Sequence, residues 1–108
     1  MKPISRRTAT AFFATAPLAL ATPAHAATHT VTIRRNKFKP AKITIKPGDT
    51  VTWKNEDGLE HTATARDKSW STKSLSGGAS GSIRFAEKGT FKYFCKWHPG
   101  MKGTVSVT

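Results

Sequence analysis

Cysteine is nearly missing from this chain. Cys95 is the only one in 108 residues, so no disulfide can form within a single copy. Its thiol must therefore be buried and inert, paired between chains, or bound to a metal. Acidic residues are scarce as well, six Asp and Glu against 18 Lys and Arg. No carboxylate dyad and no nucleophile–base pair stands out among them, which argues against an enzyme. Long apolar runs are absent. The segment Ala11 to Ala21 has eleven residues, too few to span a bilayer, so no stable membrane insertion of the mature chain is expected. Helical spacing is missing too: beyond residue 26 it never persists for more than about two turns.

The short apolar run has telling flanks. Lys2, Arg6 and Arg7 precede it, and Ala24-His25-Ala26 follows as an A-x-A end. Together these read as a cleaved signal peptide over residues 1–26. Pro3, Pro17 and Pro23 argue against a buried N-terminal helix, since each fixes φ and removes a backbone donor. Ser5-Arg6-Arg7 resembles a twin-arginine signal, although Thr8 and Ala9 follow where a bulky apolar residue is usual. A plain secretory signal accounts for the two arginines almost as well. Either route predicts a periplasmic protein.

Residues 27–108 then form one domain of 82 residues, with a modest core. This part carries 15 Lys and Arg against 6 Asp and Glu, a net charge of +9. Such an excess favours acidic partners and weakens with salt. Export argues against nucleic acid as a partner, and so do cations spread along the chain with no clustered tract or recognition motif.

Alternation of apolar and polar residues marks short strands at Val31–Ile33, Ile43–Ile45, Val51–Trp53, His61–Ala65, Ser82–Phe85, Phe91–Cys95 and Thr104–Val107. Turn signals fall about every ten residues, the pattern of a β-sandwich. The stretch 66–81 is polar apart from Trp70, Leu75 and Ala79, and reads as a loop with at most a turn of helix. On the strand from Phe91, period two puts Phe91, Tyr93 and Cys95 on one face and Lys92 with Lys96 on the wetter one. Trp53, Phe85, Phe91 and Tyr93 read as core.

The informative segment is Cys95-Lys96-Trp97-His98-Pro99-Gly100-Met101. It offers a thiolate, an imidazole and a thioether at steps of three. Pro99-Gly100 makes a helix unfavourable, but a tight loop after a strand can aim all three at one point. Soft sulfur donors with imidazole suit copper in both common oxidation states. A set without carboxylates is poor for magnesium or calcium, and a thioether is not a usual zinc ligand. The remaining nitrogen is expected from His61, which opens a predicted strand. His25 leaves with the signal, and His29 is expected in a frayed N-terminus.

These residues resemble the cupredoxins, the blue copper protein family, in its amicyanin-like and plastocyanin-like branches. The short Cys-x2-His-x2-Met spacing carries the likeness. So do Gly48-Asp49-Thr50-Val51-Thr52-Trp53-Lys54-Asn55 upstream and Gly103-Thr104-Val105 downstream. The resemblance runs from about Val31 to Val107. It implies a Greek-key β-sandwich of about seven to eight strands, with one copper ion bound closely by His61, Cys95 and His98 and more weakly by axial Met101. Two places depart from the pattern: Glu60 and Thr62 stand where the family usually has Pro and Asn beside the first histidine. The Thr62 hydroxyl is expected to replace the Asn bond that ties the ligand loops together. The mature chain is also shorter than amicyanin and is expected to lack its extra N-terminal strand.

The function implied is one-electron transfer between redox partner proteins by a monomer. His98 would present its ring edge at the surface, within an apolar patch of Trp97, Pro99, Gly100 and Met101. Lys96 and Lys102 would flank that patch and steer acidic partners. A copper carrier that hands on the ion itself would use the same four residues; the absence of a Met-rich or His-rich tail favours electron transfer.

Overall fold

The computed structural model describes residues 26–108. The signal peptide expected over residues 1–26 lies, Ala26 apart, outside the described residues. Eight strands form two four-stranded mixed sheets, and the described residues include no helix. The strands are β1 (Thr28–Arg34), β2 (Lys37–Lys39), β3 (Lys42–Ile45), β4 (Asp49–Asn55), β5 (Thr64–Ala65), β6 (Ser80–Phe85), β7 (Gly89–Phe94) and β8 (Lys102–Val107). The first sheet has the order β2-β1-β4-β6 and the second β3-β8-β7-β5. From β2 onward the chain changes sheet at each connection up to β7. Only β7 and β8 follow one another within a sheet, as do β1 and β2. Two pairs are parallel, β1 with β4 and β3 with β8. This is the all-β sandwich that the alternation predicts.

Period two decides the core. Along β4, Val51, Trp53 and Asn55 point inward while Lys54 points out. Val31 and Ile33 do the same on β1, and Val105 and Val107 on β8. Between the sheets Trp53 stacks on Trp70, with ring centroids 5.6 Å apart and planes at 28°. Trp53 also meets the Tyr93 ring edge-on at 5.3 Å, a favoured aromatic arrangement. Tyr93 fits because its partner across β7 and β8 is Gly103. A Cβ at position 103 would overlap the Tyr93 phenol.

Three details correct the sequence expectations. Strand β2, centred on buried Phe38, is an added element. It forms because Arg35 and Asn36 both take left-handed backbone conformations, φ 53° and 58°. That is the two-residue hairpin turn whose twist matches its strands. The strand expected over His61–Ala65 shrinks to Thr64–Ala65. The backbone of residues 61–63 bonds to the following loop instead: His61 exchanges both bonds with Leu75, and Thr72 donates to the Ala63 carbonyl. Finally, His29 is not frayed. It pairs with Val51 in β1, and its Nε2–H donates to Asp49 Oδ2 at 2.9 Å.

Asp49 gathers three donors at the start of β4: the Ala27 amide (2.9 Å), the Lys46 amide (3.1 Å) and His29. The His29 bond, followed by those two amides, lowers its carboxyl to a pKa of about 2. This cluster lies at one end of β4. The other end of the strand leads into the loop ahead of His61.

Candidate metal centre

Strand β7 ends at Phe94, and Cys95 follows with its side chain on the core face. From there the chain makes two successive tight turns. The His98 amide donates to the Cys95 carbonyl (3.1 Å) and the Met101 amide to the His98 carbonyl (2.8 Å). The Cys95 amide closes the loop on the Met101 carbonyl at 3.0 Å. Steps of three residues with bonds at each step turn Cys95, His98 and Met101 toward a common interior, as their spacing suggests. Pro99 and Gly100 occupy the second turn, where a helix would otherwise continue.

His61 arrives from the other side. Asn55, wholly buried, holds the loop before it: its Nδ2 donates to the Leu59 and Leu75 carbonyls, and its Oδ1 accepts from the Asp57 amide. His61 itself has no exposed surface. Its Nδ1 lies 3.7 Å from Cys95 Sγ, and His98 Nδ1 lies 3.6 Å from the same sulfur. The two imidazole rings are 4.9 Å apart. His61, Cys95 and His98 are the group among the described residues that could hold a metal ion, with all ligand atoms within 4.8 Å of one another.

The donor set fits a soft first-row metal. Bonds of about 2.0 Å to nitrogen and about 2.3 Å to sulfur, meeting at roughly 120°, require an N···S separation of about 3.7 Å. Both separations here agree with that figure. Met101, three residues after His98 on the same loop, is buried as well. Cys95 and Met101 are shut off from water together with His61, whereas His98 is partly exposed.

The surroundings order the ligands. The Thr62 amide points at Cys95 Sγ from 3.4 Å, the kind of hydrogen bond that tunes a thiolate–metal couple. The Thr62 hydroxyl accepts from the Lys96 amide at 2.8 Å, so it joins the two ligand segments as the sequence suggests. Glu60, the other departure, is exposed. Asp57 accepts from the Arg35 amide (2.7 Å), the Asn36 amide (3.0 Å) and His61 Nε2 (2.8 Å). The Asn36 amide, ahead of the Arg35 amide and His61, holds the Asp57 carboxyl below the usual range.

The outer rim differs from expectation in one member. Met101 is buried and adds nothing to a surface patch. Leu59 and Trp97 are the large exposed hydrophobics instead, 58% and 48% accessible. They precede His61 by two residues and His98 by one. Trp97 is fixed by its Nε1–H to Ser74 Oγ (3.2 Å) and by Lys96 Nζ lying 4.9 Å from its ring centroid. The sequence pattern assigns no role to Asp57 or Leu59. The cue for Asp57 was its place four residues before His61.

Comparison with known proteins agrees with this geometry. The family model for the cupredoxin-like domain matches residues 8–107. A plastocyanin of Scenedesmus fuscus is 39% identical over 83 residues, 65% of this chain and 85% of the relative. Amicyanin-alpha of Methylorubrum extorquens is 34% identical over 104 residues, 92% of this chain and 87% of the relative. Among solved structures, a purple cupredoxin from Nitrosopumilus maritimus has a TM-score of 0.71 at 28% identity, over 74% of this chain and 99% of that one.

Proposed function

The chain belongs to the cupredoxin family, and from that premise we propose that it is an exported blue copper protein carrying one electron at a time between redox proteins. His61 and His98 through Nδ1, Cys95 through Sγ and Met101 through its thioether hold one copper ion. The observation that carries this reading is the convergence of the two Nδ1 atoms on Cys95 Sγ, at 3.7 and 3.6 Å. Copper supplies a one-electron couple between its +1 and +2 states.

The protein's part is to keep one geometry through both states. His61 and Cys95 are packed in the core and fixed by backbone and carboxylate partners, so little rearranges when the charge changes. His98 gives the shortest route to the surface because it alone of the four reaches water. Leu59, Trp97, Pro99 and Gly100 offer apolar surface for brief docking, and Lys96 and Lys102 favour acidic partners. Burial of three of the four ligands supports electron transfer over delivery of the ion. It equally disfavours catalysis at the metal, since a substrate has no open way in. Residues 1–26 serve as the export signal, giving a periplasmic monomer of residues 27–108.

The test is to add Cu(II) to residues 27–108 and record the visible spectrum and redox cycling. An intense thiolate-to-copper band, abolished in Cys95→Ala, is expected. A pale complex, or a band that survives in Cys95→Ala, would overturn the reading.

A further inference from the structure

One buried imidazole is gripped from outside the ligand set. His61 Nε2 sits 2.8 Å from Asp57 Oδ2, and the same oxygen accepts from the Asn36 amide while Oδ1 accepts from the Arg35 amide. A carboxylate is acceptor only, and its two amide partners are donors. The hydrogen shared with His61 must therefore come from Nε2. That leaves the Nδ1 lone pair facing Cys95 Sγ, the orientation a metal ligand needs. Arg35 and Asn36 are the two left-handed residues of the β1–β2 turn, so this turn sets where the carboxylate stands.

We propose that Asp57 is a positioning residue: it holds His61 in the Nε2–H form and anchors that ring to the Arg35–Asn36 hairpin turn. The inference rests on the copper reading for its effect on the metal, but the hydrogen bond itself exists without metal. A carboxylate behind an imidazole raises the basicity of the ligand. It therefore stabilises Cu(II) more than Cu(I) and keeps the reduction potential down. Thr62 braces the two ligand segments against each other, whereas Asp57 braces His61 against a strand pair that holds no ligand.

Asp57→Asn is the sharp variant. Its amide keeps the size but loses the charge, and with one oxygen it cannot accept from both Arg35 and His61. Asp57→Glu keeps the charge and tests rescue. In the metal-free protein, 15N NMR of the His61 ring is expected to show Nε2 protonated in wild type and a slowly exchanging Nε2–H that is lost in Asp57→Asn. In the copper-loaded protein, Asp57→Asn is expected to shift the Cu(II)/Cu(I) affinity ratio about tenfold toward Cu(I), a rise of about 59 mV. Partial return toward the wild-type potential is expected in Asp57→Glu. A wild-type His61 protonated at Nδ1 in the metal-free protein would overturn the proposal, as would an unchanged potential in a folded Asp57→Asn. Failure of wild type to form the blue band would instead sink the copper reading, and the metal-free NMR would still decide the role of Asp57.

Discussion

The Thr62 hydroxyl accepts a 2.8 Å hydrogen bond from the Lys96 amide, so two residues 34 positions apart in sequence are tied, each one step beyond a candidate ligand. Thr62 follows His61, and Lys96 follows Cys95. The Thr62 amide also reaches Cys95 Sγ. One residue thus serves the backbone of the second ligand segment with its side chain and the sulfur with its main chain.

Thr62→Val keeps the shape and removes the acceptor. Leaving the part-buried Lys96 amide without its acceptor loosens the tie between the two segments, and changes behind metal ligands cost about 10–100-fold in affinity. Thr62→Val should therefore lose copper to a chelator at least about tenfold faster than wild type. Thr62→Ser, which keeps the hydroxyl, should be near normal. Stopped-flow chelation followed at the thiolate band decides it.

Charge near His98 should be visible in reaction rates with small redox probes. At low ionic strength, ferricyanide should oxidise the reduced protein faster than a cationic cobalt complex of matched driving force. Lys96→Glu should narrow that preference severalfold, and salt should erase the difference. Equal probe rates in wild type at low salt would rule out steering by Lys96.

Acid stability should depend on Asp49. Its folded pKa of about 2 lies below the ordinary 3.8. A depressed carboxylate contributes stability that is complete above the unfolded value and is lost as pH falls through the folded one. The contribution of Asp49 is thus expected to disappear between about pH 4 and pH 2. Asp49→Asn should lower the melting temperature at pH 6 and flatten its fall between pH 4 and 2, as read by circular dichroism on the metal-free protein.

Gly103 is expected to tolerate no side chain. Gly103→Ala drives a methyl into the Tyr93 ring, and overpacking of this kind costs about 1–3 kcal/mol. At about 4–8 °C per kcal/mol for a domain of this size, the melting temperature should fall by at least about 4 °C. Gly100→Ala is the control, because a Cβ at Gly100 meets nothing within 4 Å.

The sandwich was legible because alternation is a local signal. Val51 and Trp53, or Tyr93 and Cys95, announce their shared face within a few residues. The Cys95–His98–Met101 turn was legible for the same reason. The grip on His29 was not, because its partner Asp49 is twenty residues away in sequence. Strand β2 was missed because Lys37-Phe38-Lys39 has one buried residue, and its turn uses Arg35 at a position where Gly or Asn is usual. The strand assigned to His61 was too long because its backbone partners lie in the polar stretch after it, which carries no period of its own. Met101 was placed at the surface because loop residues usually are. Its backbone bond to Cys95 folds it under instead.

The Asp49 cluster fixes more than acid behaviour. It lies at the opposite end of β4 from Asn55, about 20 Å away at the usual rise of a strand. Ala27, Asp49 and Thr108 border the same shallow hollow, while the rim around His98 faces the other way. A linker, an affinity handle or a gold surface joined near residue 27 or 108 would hold the body by its heel. Wired to an electrode that way, the molecule would offer its partners the toe.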